Sequence, residues 1–417
     1  MSTLKQLINK FCPQGVGRKK LWELTLWNKK FNGVEKEKQK KTIPIKCILA
    51  SEFEKIKQNS GNVKYIATGL SGGDQYTTEE LAGNYLSEGE VVCIPGGGTP
   101  NVKYHNGKFI TSGNCIATSL DKSILNNKFL YYYLDSKIKS IAKFYRGSGI
   151  KHPDMSQVLE MQIPLPPLRV QEEIVKILDK FTDLENELEN ELRMRKMQFN
   201  AYRDKLLTFD NGVKFEKLGD LGSFIGGLKG KSKKDFRDGN NKLITYKNVY
   251  NNMAIDQNLS DKVKIEKNES QNVLQYGDIC FTGSSETLDE SGLSSVVTDV
   301  PTSGLYLNSF CFLFRFNNVK LMNPNFSKYL FRSNLIRKQI CRIAQGVTRF
   351  NISKKGMNDI TIPVPPLENQ KEIVEKLDKF NDMCNEISDG LPLEIELRKK
   401  QYEFYRDKLL SFDKKAS

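Results

Sequence analysis

The side chains in this chain best placed for chemistry are cations and hydrogen-bonding groups set in glycine-containing loops. Lys29, Lys30, Lys36, Lys38, Lys40 and Lys41 form one basic stretch. Lys229, Lys231, Lys233, Lys234 and Arg237 form another at the matching place about 200 residues later. Lysines in such loops suit phosphate contact, which supplies affinity without sequence information. Base discrimination needs side chains that reach base edges: Arg for guanine, Asn or Gln for adenine. Arg146, Lys151 and His152 stand in one such loop, and Gln345, Thr348, Arg349 and Asn351 in a second. Tyr104 and His105, behind the Gly96–Thr99 turn, could add stacking. For any single residue, an exposed polar loop side chain is an equally good account, so the loops count as groups.

Patterns that would signal catalysis are incomplete. Gly69-Leu-Ser71-Gly-Gly73 fits the G-x-S-x-G turn that presents a nucleophilic serine, but Asp74-Gln-Tyr-Thr-Thr78 is a poor opening for the packed helix that must follow. Asn323-Pro-Asn-Phe326 has Asn at the third position of the N-P-P-[FY] adenine-methylation signature, and no glycine-rich cofactor loop precedes it; a helix cap is the expected role. No G-x-x-x-x-G-K-[ST] phosphate loop occurs, and the carboxylates are dispersed. Eight cysteines include no C-x-x-C pair, and there are two histidines, so neither a disulfide framework nor a zinc site is expected.

The elements that must position these loops are written twice. Ile163–Asp183 reads IPLPPLRVQEEIVKILDKFTD and Ile362–Asp382 reads IPVPPLENQKEIVEKLDKFND, identical at 14 of 21 positions. YRDKLLTFD at Tyr202–Asp210 returns as YRDKLLSFD at Tyr405–Asp413. So long a period excludes a solenoid and implies two similar halves, each a globular segment followed by a helical arm. The boundaries read as residues 1–160, 161–212, 213–360 and 361–417. Charge follows the same division. Residues 1–160 carry 24 Lys+Arg against 14 Asp+Glu and residues 213–360 carry 22 against 14, while both arms are slightly acidic. Two basic bodies on near-neutral spacers suit a reader of a polyanion at two positions.

Within the globular segments, Val63–Thr68, Glu90–Ile94 and Lys108–Thr111 read as strands, and Asn127–Ala142 and Asn325–Ile343 as helices. Leu218-Gly-Asp-Leu221 answers Leu21-Trp-Glu-Leu24, and Gly277-Asp-Ile-Cys280 answers Gly89-Glu-Val-Val92. Each arm opens after a Pro-Pro pair, a helix-start signal. The apolar stripe Ile174, Ile177/Leu178, Phe181, Leu184, Leu188, Leu192, then Phe199, Tyr202, Leu206 keeps spacings around three and four in the manner of a coiled-coil seam, and Ile373, Leu377, Phe380, Ile387, then Tyr405 and Leu409 repeat it. Gly390-Leu-Pro392 should break or kink the second arm. The fold class expected is α+β: two pseudo-repeated globular domains separated by two long helices that pair as an antiparallel coiled coil. No apolar run approaches a membrane span, and the first residues lack a signal-peptide core, so the expectation is a cytoplasmic protein with no membrane partner.

A globular segment, an I-P-[LV]-P-P-L-x-x-Q-x-x-I-V-x-x-L-D helix opening, and a duplicate of both resemble the specificity (S) subunits of type I restriction-modification systems. The resemblance covers essentially the whole chain and is most specific at Ile163–Asp179 and Ile362–Asp378. It implies two target-recognition domains, each reading half of a split double-stranded DNA sequence. It implies that the helices set the distance between the halves and dock methylation subunits, two in number, with restriction motor subunits joining in the full complex. It implies no cofactor in this chain, with S-adenosylmethionine, ATP and Mg on the partner subunits. Two other readings compete: a catalytic DNA adenine methyltransferase or fused restriction-modification enzyme, and a coiled-coil scaffold with basic nucleic-acid-binding heads.

Overall fold

The computed structural model describes residues 2–70, 73–209, 212–237, 239–258, 260–388 and 390–412, with the backbone alone at 2, 3, 384–388 and 390. The chain forms two compact units that do not coincide with its halves. Unit 1 is Met1–Glu189 with Leu393–Ser417, and unit 2 is Asn190–Pro392.

In unit 1 the strands are β1 (Arg18–Lys20), β2 (Thr25–Trp27), β3 (Val63–Ile66), β4 (Gln75–Thr77), β5 (Ser87–Pro95), β6 (Lys103–Thr111), β7 (Asn114–Ser119), β8 (Tyr145–Arg146), β9 (His152–Pro153) and β10 (Gln162–Pro164). Six of them make one sheet in the order β2-β7-β5-β6-β3-β4, antiparallel except where β3 runs parallel to β6. The apolar run Val91–Ile94 makes β5 a central strand covered on both faces. Alternate side chains go to different cores: Val92 and Ile94 join Phe129 and Tyr132, whereas Val91 and Cys93 join Ile66 and Phe109.

In unit 2 the strands are β11 (Phe215–Lys217), β12 (Gly222–Gly226), β13 (Asn241–Ile244), β14 (Lys262–Val263), β15 (Ile279–Thr282), β16 (Ser284–Ser285), β17 (Ser294–Val296), β18 (Leu305–Leu307), β19 (Cys311–Phe316), β20 (Phe350–Asn351) and β21 (Thr361–Pro363). The same plan recurs in two pieces, β12-β19-β15-β17 and β14-β13-β18, with β13 parallel to β18. The split has a simple cause. β15 has 4 residues where β5 has 9, too few to bridge the two groups.

Each expected helix after the sheet is interrupted. Asn127–Ser136 is followed by Ile138–Ala142, and Pro324–Leu330 by Asn334–Ile343. At both breaks a serine hydroxyl donates to the carbonyl three residues back, Ser136 to Tyr133 and Ser333 to Leu330, competing with the helical ladder. The first turns are capped alike. Asn126 accepts from the backbone of Lys128 and Phe129, and Asn323 from that of Asn325. The Asn323-Pro-Asn-Phe326 stretch is thus a helix cap.

The first arm is a single 39-residue helix, Leu168–Leu206, about 60 Å long at 1.5 Å per residue. It contains no Gly or Pro. The second arm is helical over Leu367–Ser388 and Gly390–Leu409, residue 389 lying outside the described residues; Gly390, Leu391 and Pro392 are themselves helical, so the break expected at them is not seen. In unit 1, Ile174 and Leu178 are fully buried, Phe181 stacks on Tyr405 at 5.4 Å, and Lys399 pairs with Glu185 and Glu189. Partner numbers fall as the first helix rises, so the pairing is antiparallel. Leu409 is buried in the same core and Leu188 is half-buried. In unit 2, Phe380 packs on Phe199 and Tyr202, and Leu377 is fully buried. Leu206 and Ile373 are half-buried beside the more deeply buried Leu207 and Val374, because there the helices face the domain core as well as each other. Ile387 lies outside the residues whose side chains are described.

Two of the polar positions shared by both copies of the repeat are clamps. Gln171, fully buried, accepts from the Asn126 backbone N–H at 2.9 Å and donates to the Ile124 and Pro166 carbonyls at 2.8 Å each. Gln370 does the same with Asn323, Leu321 and Pro365. Asp179 accepts from Tyr132 and Lys128, and Asp378 from Tyr329 and Lys328. Each unit thereby fixes its helix and loops to its arm.

Candidate nucleic-acid interface

Each unit presents a hairpin beside the segment that follows its central strand. In unit 1, β8 and β9 pair Arg146 with His152. The His152 Nδ1 lies 2.6 Å from the Gly96 carbonyl oxygen, and the Gly98 N–H donates to the Lys151 carbonyl. Lys29 also lies against Gly96. The structure therefore brings Lys29, Lys151 and His152 together around the Gly96–Gly98 run, with Arg146 exposed on the same hairpin near Asp154.

In unit 2, β20 pairs with β16, and Gln345 and Asn351 exchange both backbone hydrogen bonds at the hairpin base. Arg349 Nε donates to Ser284 Oγ at 3.1 Å. Gln345, Thr348, Arg349 and Asn351 are all exposed.

The two hairpins turn by the same device. Gly147 has φ +139° and Gly346 φ +136°, and a Cβ there would sit 2.9 Å from the Ile150 oxygen or 1.9 Å from the Arg349 oxygen. Neither conformation is open to an L side chain. Each loop also exposes one aliphatic side chain, Ile150 at 70% and Val347 at 90%. Solvent-facing donors around an apolar tip can contact both phosphates and base edges.

The remaining candidates divide. Lys29, Lys38, Lys40 and Lys41 line a cavity of about 320 Å³ with Trp22 and Trp27. Lys30, Lys36, Lys40 and Lys41 are exposed, whereas Lys38 bonds Glu160 and Glu35, which hold its ammonium pKa above the ordinary value. In unit 2, Lys229, Lys233, Lys234 and Arg237 are exposed, but Lys231 is engaged by Glu269. Tyr104 and His105 are half-buried on β6. Tyr104 donates to Glu90 at 2.8 Å, and His105 Nε2 lies 3.1 Å from the Lys108 carbonyl oxygen. Burial pulls the His105 pKa below the ordinary histidine value. These two side chains are turned to internal contacts rather than gathered with the hairpin.

Ser284, Ser285, Ile150 and Val347 belong to the same loop groups and were not singled out by spacing. The signal available for the serines was the Gly283-Ser-Ser run answering Gly96–Gly98. Ser71 of the G-x-S-x-G stretch lies outside the described residues. Among the described residues no helix is long and apolar enough to cross a membrane.

A model of the type I restriction modification DNA specificity domain matches residues 29–194 and 211–397. The chain is 34% identical over 315 residues to the specificity subunit of the type I restriction enzyme EcoR124I/EcoR124II of Escherichia coli, spanning 72% of this chain and 74% of that one. It is 23% identical over 337 residues to the type I restriction enzyme MjaVIII specificity subunit of Methanocaldococcus jannaschii, 76% of each chain. Among solved structures, the S subunit of a type I restriction-modification system from M. genitalium aligns over 94% of this chain and 96% of that chain, at 16% identity and a TM-score of 0.45.

Proposed function

Because this chain belongs to the type I restriction-modification DNA specificity family, we propose that its two units each read one half of a split double-stranded DNA target. The chain is a specificity subunit, the recognition component of its system rather than a catalytic one. The observation that carries the half-site reading is the repeated loop pair. Arg146–His152 beside Gly96–Gly98, and Gln345–Asn351 beside Ser284–Ser285, are built on equivalent frames but display different side chains. A common frame with different displayed groups is what two different half-sites require.

Phosphate contact through the exposed lysines gives salt-dependent affinity, and joining two readers raises the effective concentration of the second. The arms serve as spacer, their helical length setting the number of unread base pairs. They also dock the methylation subunits, two per chain, to which restriction subunits add. Met194, Met197, Met383, Leu393, Leu397 and Phe404 are exposed along the arm helices, and apolar side chains so placed support a docking role. S-adenosylmethionine, ATP and Mg are left to those partners, and the complex works on DNA in the cytoplasm.

The test is a genome-wide map of adenine methylation in the host with and without this gene. Loss of one motif, two short half-sites flanking a fixed gap, supports the proposal. Loss of an uninterrupted motif removes the half-site reading.

A further inference from the structure

The two units differ sharply at one equivalent position. Alignment of the capping asparagines, of Phe129 with Phe326, and of Tyr132 with Tyr329 makes Asp135 the counterpart of Arg332. The YRDKLL repeat makes Arg406 the counterpart of Arg203. In unit 1, Arg406 Nη1 pairs with Asp135 at 2.6 Å. In unit 2 the acid is replaced by a second arginine.

Arg332 has no carboxylate among its hydrogen-bond partners there, and the nearby acids serve the other arginines. Arg203 is 6% exposed, and its Nε and Nη2 both go to Asp204. Asp204 also accepts from the Asn334 backbone N–H. Arg332 donates from Nε to the Ser294 carbonyl and from Nη2 to those of Val249, Tyr250 and Asn252, all uncharged. Among the described residues, neither Nη1 makes a hydrogen bond. Arg337 is likewise held by the carbonyls of Gly292, Asp289 and Ser291. Arg203, Arg332 and Arg337 line one cavity of about 480 Å³ together with Lys196 and with Arg195, whose Nε and Nη2 go to Glu191, and Asp289 is the acidic residue in its lining. Burial, then the charges of Arg337 and Arg203, pull Arg332 down to about 10, which still leaves it protonated at pH 7. Like charges gathered in one partly buried cavity raise the energy of the empty site, and a bound anion lowers it.

We infer that unit 2 holds an anion site for a phosphate group, formed by Arg203, Arg332 and Arg337 with Lys196 at its rim. A phosphate offers several acceptor oxygens to guanidinium groups arriving from different directions, whereas a carboxylate satisfies one fork. The site is independent of the half-site proposal and has no counterpart in unit 1, where Asp135 occupies the position of the ligand's charge.

The test titrates the full chain with inorganic phosphate and with pyrophosphate by calorimetry, at fixed ionic strength in chloride. Two variants accompany it: Arg332→Asp, which restores the unit 1 pairing, and Lys196→Glu, an exposed rim residue whose change leaves the fold intact. The wild type should bind saturably at one site. Affinity should fall at least tenfold in Arg332→Asp and several-fold in Lys196→Glu, and if Arg332→Asp fails to fold, Lys196→Glu decides. A duplex-DNA arm distinguishes the sources. A sequence-independent loss of DNA affinity in Lys196→Glu, with a salt slope shallower by about one, assigns the phosphate to the DNA backbone. Unchanged DNA affinity assigns it to a small phosphorylated ligand. Either result upholds the site. No saturable phosphate binding by the wild type, equal affinity in folded Lys196→Glu, or acetate binding as tightly as phosphate would overturn it.

Discussion

Gln171→Leu is the sharpest test of how recognition loops are held to the arm. The substitution keeps side-chain volume nearly constant but strands three backbone groups: the Asn126 N–H and the Ile124 and Pro166 carbonyls, now bonded at 2.8 to 2.9 Å. The site is fully buried, so water does not replace the lost partner. Each stranded group costs about 1–2 kcal/mol, giving roughly 3–6 kcal/mol in all. At about 2–4 °C per kcal/mol for a unit of this size, the melting temperature should fall by on the order of 10 °C. Thermal and urea unfolding of the full chain would measure it. Gln171→Glu supplies the control. It keeps the acceptor for Asn126 but turns a second oxygen toward two carbonyls. Burial raises a carboxyl's pKa, so this variant should be firmest at acid pH, where the protonated group still donates, and should lose stability as pH rises through that value. A melting shift under ~2 °C for Gln171→Leu would refute the clamp argument.

Other outcomes follow from the same geometry. Gly346→Ala drives a Cβ against the Arg349 oxygen, so the second hairpin must rebuild; binding assays should show sequence discrimination lost in one half-site while circular dichroism stays native. Removing seven residues from each paired helix, Glu185–Glu191 and Leu393–Lys399, shortens the spacer by ~10 Å with little rotation of its faces, and the unread gap in the methylated motif should contract by about three base pairs. An unchanged gap would discard the ruler. Glu90 is partly buried, which raises its pKa, but hydrogen bonds from Tyr104, Asn127 and Lys122 outweigh burial and leave it low. Its contribution is therefore present above the ordinary glutamate range and disappears as pH falls through the depressed value; Glu90→Gln should flatten that part of the acid-unfolding profile.

Much of the architecture was legible because the chain states it twice. The arms, the Asn323 cap and the two terminal glycine-containing loops follow from local signals, namely Pro-Pro openings, an apolar stripe, a capping residue and glycine punctuation, and the antiparallel pairing from the presence of two such stripes in one chain; that the loops are hairpins is seen only in the structure. What was not legible depends on partners far apart in sequence. No local pattern says that Arg406 closes the unit containing Asp135 or that Arg203 closes the one containing Arg332, so each unit is finished by the arm end of the other repeat. The glutamines were visible as repeated letters, but their role depends on carbonyls more than 40 residues away. Tyr104 and His105 read as free to stack because the alternation of β6 does not show which neighbour will claim their polar atoms. The split of the second sheet turns on the length of one strand, which spacing of hydrophobic residues sets only loosely.

The central claim is that each unit reads its own half-site. The most direct test maps adenine methylation in cells whose chain carries Thr348→Ala and Arg349→Ala in the second hairpin. The account predicts that one half of the split motif loses its sequence preference while the other half and the gap stay as in the wild type. A change in both halves, or an unaltered motif at undiminished methylation, would contradict it.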